Sequence, residues 1–374
     1  MPLFRITNDP RPYAWGSRTA IAELRGVEPS GEPEAELWLG THPGSPARVV
    51  GADATLTEAI AAEGGENLPY LLKLLAAASP LSLQAHPTAE QAQRGFEREE
   101  AAGIPVDAPH RNYRDRSPKP EVILAVSERF EALCGFRDPV ESSAAIRELA
   151  DGDPSLEDLA ARVERGPLRD VFEWLITRGD GVQELVATAQ RLAEAGDGAA
   201  ADTVRLLAAK YPGDPGVVIA LLLNRVALRR GEALFLPAGN IHAYLNGLGI
   251  ELMTASDNVL RGGLTPKHVD VAELLGVLDF TPGPPPRIVP EQVDTGVDAF
   301  RPDGVEFELV RAREGGTFVA PGGSVALCIA GNAEVRTDAT ELTLSQGEAV
   351  YLSRGESARV HAAPHGEVVV ASKR

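Results

Sequence analysis

The rhythm of apolar and polar positions changes twice along the chain. Through Ala125, short apolar runs alternate with glycine and proline, the texture of an antiparallel β unit. Ala47-Arg48-Val49-Val50 before Gly51 reads as a strand and a turn, Thr55 to Glu63 as a helix, and Leu68 to Ala78 as an apolar stretch interrupted by Lys73. Thr88 is followed three residues later by Gln91, a pair whose side chains cap each other's backbone N–H, so a helix is predicted from there through Glu100. From Pro139 to about Asn224 the spacing turns helical, over Glu141 to Ala150, Ser155 to Val163, Leu168 to Thr177, Val182 to Ala195 and Ala199 to Tyr211. Leu185, Ala189, Leu192 and Ala193 form an apolar stripe opposite Glu184, Gln190, Arg191 and Glu194, which is the pattern of a packed core face. After Asn224 the β texture returns.

The returning part is repetitive. Gly231-Glu232-Ala233-Leu234-Phe235-Leu236 is echoed by Gly347-Glu348-Ala349-Val350-Tyr351-Leu352, and the same offset aligns Glu251 to Ser256 with Glu367 to Ser372. Two blocks agreeing at one offset mark a duplication. A Gly-Glu-Ala turn into a strand, then a glycine turn and a second strand, resembles the cupin barrel. The expected fold is therefore mainly β with an α-helical insertion: two cupin-like β-barrels, one N-terminal and catalytic, one C-terminal, plus a helical domain. The expected boundaries are 1–138 with 225–280 for the first barrel, 139–224 for the helices and 281–374 for the second barrel, with Gly283-Pro284-Pro285-Pro286 at the joint.

Length and charge narrow the function. A chain of 374 residues suits two or three domains of the usual ~100–200 residues. The net charge of −18 disfavours nucleic acid and anionic membrane as partners, and mildly favours a monomer. It also opposes long-range steering of an anionic ligand, so any phosphate site must be built from local cations. Cys134 and Cys328 have no spacing that suggests a disulfide framework or thiolate metal site. Met1 to Asn8 lack an apolar leader core, and no apolar run reaches the ~20 residues of a membrane span, so a soluble, cytoplasmic protein is expected. No glycine-rich dinucleotide or triphosphate loop is present.

Two separated segments offer metal-binding side chains: Ser82-Leu83-Gln84-Ala85-His86-Pro87 and Pro237-Ala238-Gly239-Asn240-Ile241-His242, both read as short and strand-like. Gln84 and His86, two apart, share a strand face with each other and with Ser82. Between them in sequence, Lys119-Pro120-Glu121 opens the apolar run from Val122 to Val126, placing a carboxylate at a strand start. Singly, His86 before Pro87 reads as a turn histidine and Glu121 as half of a surface ion pair. Together Gln84, His86, Glu121 and His242 make a mixed nitrogen and oxygen set suited to zinc or a similar divalent ion. At the repeat offset His242 falls on Ala358, so the second barrel is expected to be metal-free.

The strings SLQAHP, KPE, GEALFLPAGNIHAYL and SDNVLRGGLTPKHVD, with Pro12 to Ser17 and Ala35 to Gly40, are similar to the signature segments of the type I mannose-6-phosphate isomerases, from about Tyr13 to Asp279. That resemblance implies one zinc ion per chain on the four ligands, a sugar phosphate substrate, and interconversion of mannose 6-phosphate and fructose 6-phosphate through a cis-enediol. It implies an active-site role for Arg261, on phosphate or on the enediolate, and for Lys119, Glu251 and Lys267. Lys119 is a candidate base or phosphate contact, Lys267 and Ser82 are candidate substrate contacts with Ser82 on the ligand face, and Asp257 is a candidate acid or base or a turn residue orienting Arg261. The repeat partner Glu367 weakens the case for Glu251, and His42 is read as structural. Two departures stand out: Pro118 takes the place of a histidine that many members have before Lys-Pro-Glu, and Ala14 replaces an acidic residue. The general base therefore stays unassigned. The competing readings are an isomerase of another sugar phosphate, a non-catalytic sugar-phosphate-binding cupin, and an iron dioxygenase, whose usual two histidines and one carboxylate leave no place for Gln84.

Overall fold

The computed structural model describes residues 3–374, so the first two residues of the expected 1–138 segment lie outside the described residues. It is mainly β with several helices, and its strands form sheets of ten, eight and four strands.

The strand His242–Thr254 organises the ten-stranded sheet. Its C-terminal half lies between Tyr70–Ala77 and Glu121–Ala125, and its N-terminal half between Gln84–Ala85 and Arg129–Phe136. The handover occurs after Tyr244, where the ladder slips register, and at Gly247, whose φ is 122°. A Cβ on Gly247 would stand 2.8 Å from Phe130 Cδ2 and 2.9 Å from the Arg129 carbonyl oxygen, so the bend requires glycine. Because the bent strand divides its hydrogen bonds between two sets of neighbours, the strands pack as sheets around Phe130, Tyr244, Ile123 and Leu234. This corrects the expectation of closed barrels: the sheets are not closed.

The helical stretch leaves from Arg129–Phe136 and returns to Leu223–Arg229, two strands paired with each other. Its first helices span Pro139–Ala150 and Pro154–Arg165, beginning slightly before the predicted Glu141 and Ser155. Asp138 and Asp153 cap them, each accepting a backbone N–H, and proline at the first helical position has φ already set for the helix. Leu168–Ile176 and Val182–Ala195 follow closely as expected, and Ala199–Ala208 stops short of the predicted Tyr211. The helices bury Ile146, Leu156, Phe172 and Leu185 against Leu83, Leu133 and Leu245 of the β unit. Each such side chain contributes roughly 1.5–3 kcal/mol of burial free energy. The helix Ala89–Ala101 carries the expected mutual capping of Thr88 and Gln91.

In the C-terminal part the eight- and four-stranded sheets pack face to face over Val335, Leu344 and Val360 on one side and Val350, Val368 and Val370 on the other. The sequence echo falls on equivalent strands, Ala233–Leu236 with Ala349–Leu352, and His242–Thr254 with Glu367–Lys373. The strand Leu3–Thr7 joins the two β parts, pairing with Arg48–Val49 on one side and with Ala349–Leu352 on the other. The two β parts share a core of Leu37, Leu72 and Ile250 with Val325, Leu327 and Tyr351, and the Tyr70 hydroxyl donates across it to the Gly323 and Ala371 carbonyls at 2.7 and 3.0 Å. Both cysteines are buried and free, and among the described residues no helix is long and apolar enough to cross a membrane.

Candidate metal centre and its cavity

His86, Glu121 and His242 come together from three strand ends, with their ligand atoms within 4.8 Å of one another. Glu121 opens its strand as expected. The PAGNIH segment departs from expectation: it is a turn rather than a strand, with Gly239 at φ 80° against the Val277 carbonyl, and His242 is the first strand residue beyond it. Cross-strand register sets Gln84 beside both His242 and Arg261.

The hydrogen bonds around the imidazoles orient them. His86 Nδ1 lies 2.7 Å from the Asn258 carbonyl oxygen and His242 Nδ1 lies 3.0 Å from that of Asn240. Donation to these carbonyls puts the proton on Nδ1 and leaves each Nε2 lone pair facing inward. His86 Nε2 and His242 Nε2 each stand 3.3 Å from a Glu121 carboxylate oxygen. Gln84 Nε2 stands 3.4 Å from His242 Nε2, so its amide reaches the same point. His86 Nε2 and Glu121 Oε2 are buried without a hydrogen-bond partner among the described residues. Such orphaned atoms carry a desolvation cost that a cation would offset, and the donor set fits zinc.

Burial, followed by the nearby Lys119 ammonium, pushes His86 down to about 4. Burial works to raise the Glu121 carboxyl, but Lys119 and the histidines hold it well below the usual range. Lys119 Nζ lies 2.7 Å from Glu121 Oε1, which ties this lysine to a ligand oxygen.

Of these residues Gln84, Lys119 and Glu121 line a cavity of about 860 Å³, which Lys210 and Tyr211 of the helical stretch also line. One wall holds a group that the sequence reading largely missed. Lys73 Nζ lies 2.8 Å from Glu251 Oε2, 3.8 Å from Glu36 Oε1 and 5.1 Å from the centre of a Trp38 ring. Burial and the neighbouring carboxylates raise Glu251, and Tyr244 beside it is raised for the same causes. Burial would lower Lys73, yet Glu251, Glu36 and Glu121 keep it above its ordinary value. The available signal was a lone lysine inside an apolar strand run.

The cavity is also lined by Ser82, Arg261 and Lys267, and by Arg114, which the sequence reading did not single out. Burial lowers the pKa of Arg261 and of Lys267, and Arg114 adds to both effects. The loop bearing Arg261 and Lys267 is clamped by Asp214, whose carboxylate accepts from the backbone N–H of Gly216, Leu264 and Thr265 at 2.7, 3.0 and 3.4 Å. Gly263 at φ 113° packs its Cα face on Gly216. Asp257 lies at the half-open rim, 3.4 Å from His42 Nε2 rather than against the metal ligands. His42 accepts the Gly44 N–H on Nδ1, so its Nε2 carries the proton toward Asp257.

Residues 3–139 match a family model described as phosphomannose isomerase type I, catalytic domain. The mannose-6-phosphate isomerase of Escherichia coli K12 is 36% identical over 374 aligned residues, covering 94% of this chain and 95% of that protein. The Salmonella typhimurium LT2 counterpart is 35% identical with the same coverage. A crystal structure of mannose 6-phosphate isomerase from Salmonella typhimurium, bound to fructose 6-phosphate and zinc, superposes with a TM-score of 0.90 at 32% identity and covers all of both chains.

Proposed function

This chain belongs to the type I phosphomannose isomerases, and from that premise we propose how its cavity performs their reaction. It is a zinc-dependent aldose–ketose isomerase that interconverts mannose 6-phosphate and fructose 6-phosphate through a cis-enediol. The observation that carries this for the chain's own residues is the buried trio His86, Glu121 and His242, with His86 Nε2 and Glu121 Oε2 left partnerless, beside a cavity that Glu121, Lys119, Arg261 and Lys267 line. Gln84, His86, Glu121 and His242 hold one zinc ion per chain. When bound, zinc would supply a Lewis acid that stabilises the negative charge developing on the substrate's carbonyl oxygen by several kcal/mol.

The protein's groups do the rest. Arg261, in register with Gln84, adds a fixed positive charge next to the ligand set, and Lys267 faces the phosphate from the same loop. Glu251, its pKa raised by burial and held by Lys73, takes the proton from C2 of open-chain mannose 6-phosphate and returns it to C1, while the O2 hydroxyl proton passes to O1, leaving a C2 carbonyl and a C1 hydroxyl. This gives the shuttle a residue in a chain with Pro118 before Lys-Pro-Glu. Lys119 steadies Glu121, Ser82 contacts the sugar, and Asp257 at the rim serves ring opening, with His42 behind it.

We further infer that 1–138 with 225–280 and 281–374 are two cupin-like domains around the helical domain 139–224. The support is the repeated strand pair, and Ala358 at the position of His242 makes the second copy metal-free. A cytoplasmic monomer fits the charge of −18. The test of the chemistry is isomerisation of fructose 6-phosphate in deuterated water. Deuterium at C2 of the mannose 6-phosphate formed supports the proton shuttle on substrate, and Glu251→Gln should abolish it. Exchange that survives Glu251→Gln at the wild-type rate removes Glu251 from the role.

A further inference from the structure

Resting on the sugar-phosphate reading above, we propose that Arg114 is a phosphate-binding residue of the cavity and that Asn258 positions it, tying the phosphate end of the site to the metal ligand His86. Three arginines lie close together in sequence here; Arg111 also touches the cavity, but it and Arg116 are held by other groups. Arg111 donates to the Tyr113 carbonyl at 2.6 Å, pairs with Glu99 and Glu100 at 2.9 and 2.8 Å, and covers Phe96 at 5.0 Å. Arg116 lies over the same ring at 4.3 Å. Arg114 lines the cavity, and among the described residues no carboxylate pairs with it, with Arg261 or with Lys267.

The chain has 54 acidic residues for 36 basic ones, so an unpaired trio of cations is not a shortage of partners. Arg114 acts on Arg261 and on Lys267, and Arg261 acts on Lys267, always in the repulsive sense. Repulsion of this kind is relieved when a dianion enters, and a guanidinium matches phosphate oxygens with paired donors. A cavity built for an uncharged sugar alone would gain nothing from it.

Asn258 fixes the loop that carries Arg114. Its side chain is fully buried, and Oδ1 accepts the Arg114 and Asp115 N–H groups at 2.7 and 3.2 Å. Nδ2 donates to the Asp115 and Ser117 carbonyls, each at 2.9 Å. Its own backbone carbonyl is the acceptor for His86 Nδ1 at 2.7 Å. One residue thus fixes the backbone beside a metal ligand and beside a cavity-lining cation.

The test uses zinc-loaded full-length protein, with calorimetric titration of inorganic phosphate and of fructose 6-phosphate beside KM and kcat for mannose 6-phosphate. Arg114→Met should weaken both ligands roughly 10- to 100-fold and raise KM alike, with kcat changed less than about threefold. Arg114→Lys should recover part of this, and Arg116→Met should bind both ligands as the wild type does. Asn258→Ser should raise KM and also weaken zinc retention, the joint effect that a purely local role would not produce. Arg114→Met that binds fructose 6-phosphate normally, or that loses kcat at unchanged KM, overturns the assignment, as does a wild type that binds neither ligand. Normal KM and zinc retention in Asn258→Ser overturn its positioning role. A wild type that binds both ligands through Arg114 but does not isomerise would sink the reaction instead and leave the phosphate assignment standing.

Discussion

Replacing Lys73 by methionine isolates the electrostatics of the cavity wall. The substitution keeps an unbranched chain in the strand Tyr70–Ala77 but removes the ammonium between Glu251 and Glu36. Two unit charges at the observed 2.8 Å attract by about 6 kcal/mol at an effective dielectric near 20. Desolvation of the ions offsets part of that gain, and breaking such a buried pair by removing one partner costs ~3–5 kcal/mol. Lys73→Met should therefore lower the stability of the zinc-loaded protein by that amount in urea unfolding. Glu251→Gln removes the stranded carboxylate, so the double variant should lose less than the two single losses summed, with a coupling of ~1–3 kcal/mol. A Lys73→Met loss below ~1 kcal/mol, or simple additivity, would refute the view that Lys73 exists to hold Glu251 ionised and in place.

Other perturbations follow from single contacts. Gly247→Ala places a Cβ against Phe130 and the Arg129 carbonyl at a left-handed φ, and should cost ~2 kcal/mol or more in thermal unfolding. Asp214→Ala leaves three backbone N–H groups without their acceptor, so kcat/KM should fall roughly 10- to 100-fold through a looser Arg261 loop, with Asp214→Asn milder; unchanged kinetics would remove the clamp. Burial lowers the pKa of His42, so as pH falls the unfolded chain takes up this proton first. Its stabilising contribution is present above the ordinary histidine pKa of ~6.5 and is lost as pH drops below it. His42→Gln should flatten the stability profile in that window, and an unchanged profile would contradict the reading.

Much of the site was legible because its chemistry is written locally. The i, i+2 spacing of Gln84 and His86 points both to one site although the strand itself ends at Ala85, and Glu121 announces itself as the polar start of an apolar strand. Pro139 and Pro154, preceded by aspartate, mark the helix starts more sharply than the periodicity that placed them at Glu141 and Ser155. What stayed hidden depends on contacts between distant segments. Asp214 and Leu264 meet only after the helices fold back, and Asn258 reaches the Arg114 backbone from a distant part of the chain, a contact that no spacing rule encodes. Lys73 and Glu36 looked like an interruption and a motif letter until register set them near Glu251. The repeat partner that counted against Glu251 has a counterpart arrangement of its own, since Glu367 pairs with Arg230 and Arg311. The bend at Gly247, which splits one strand between two sets of neighbours, is also why open sheets stand where closed barrels were expected.

The most direct measurement is turnover of mannose 6-phosphate to fructose 6-phosphate before chelation, after chelation and after zinc is returned, in wild type and in His242→Ala. The account predicts that wild-type turnover vanishes on chelation and returns in proportion to one zinc per chain, while His242→Ala neither retains zinc nor recovers. Undiminished turnover in the metal-free protein, or full recovery of His242→Ala at stoichiometric zinc, would contradict it.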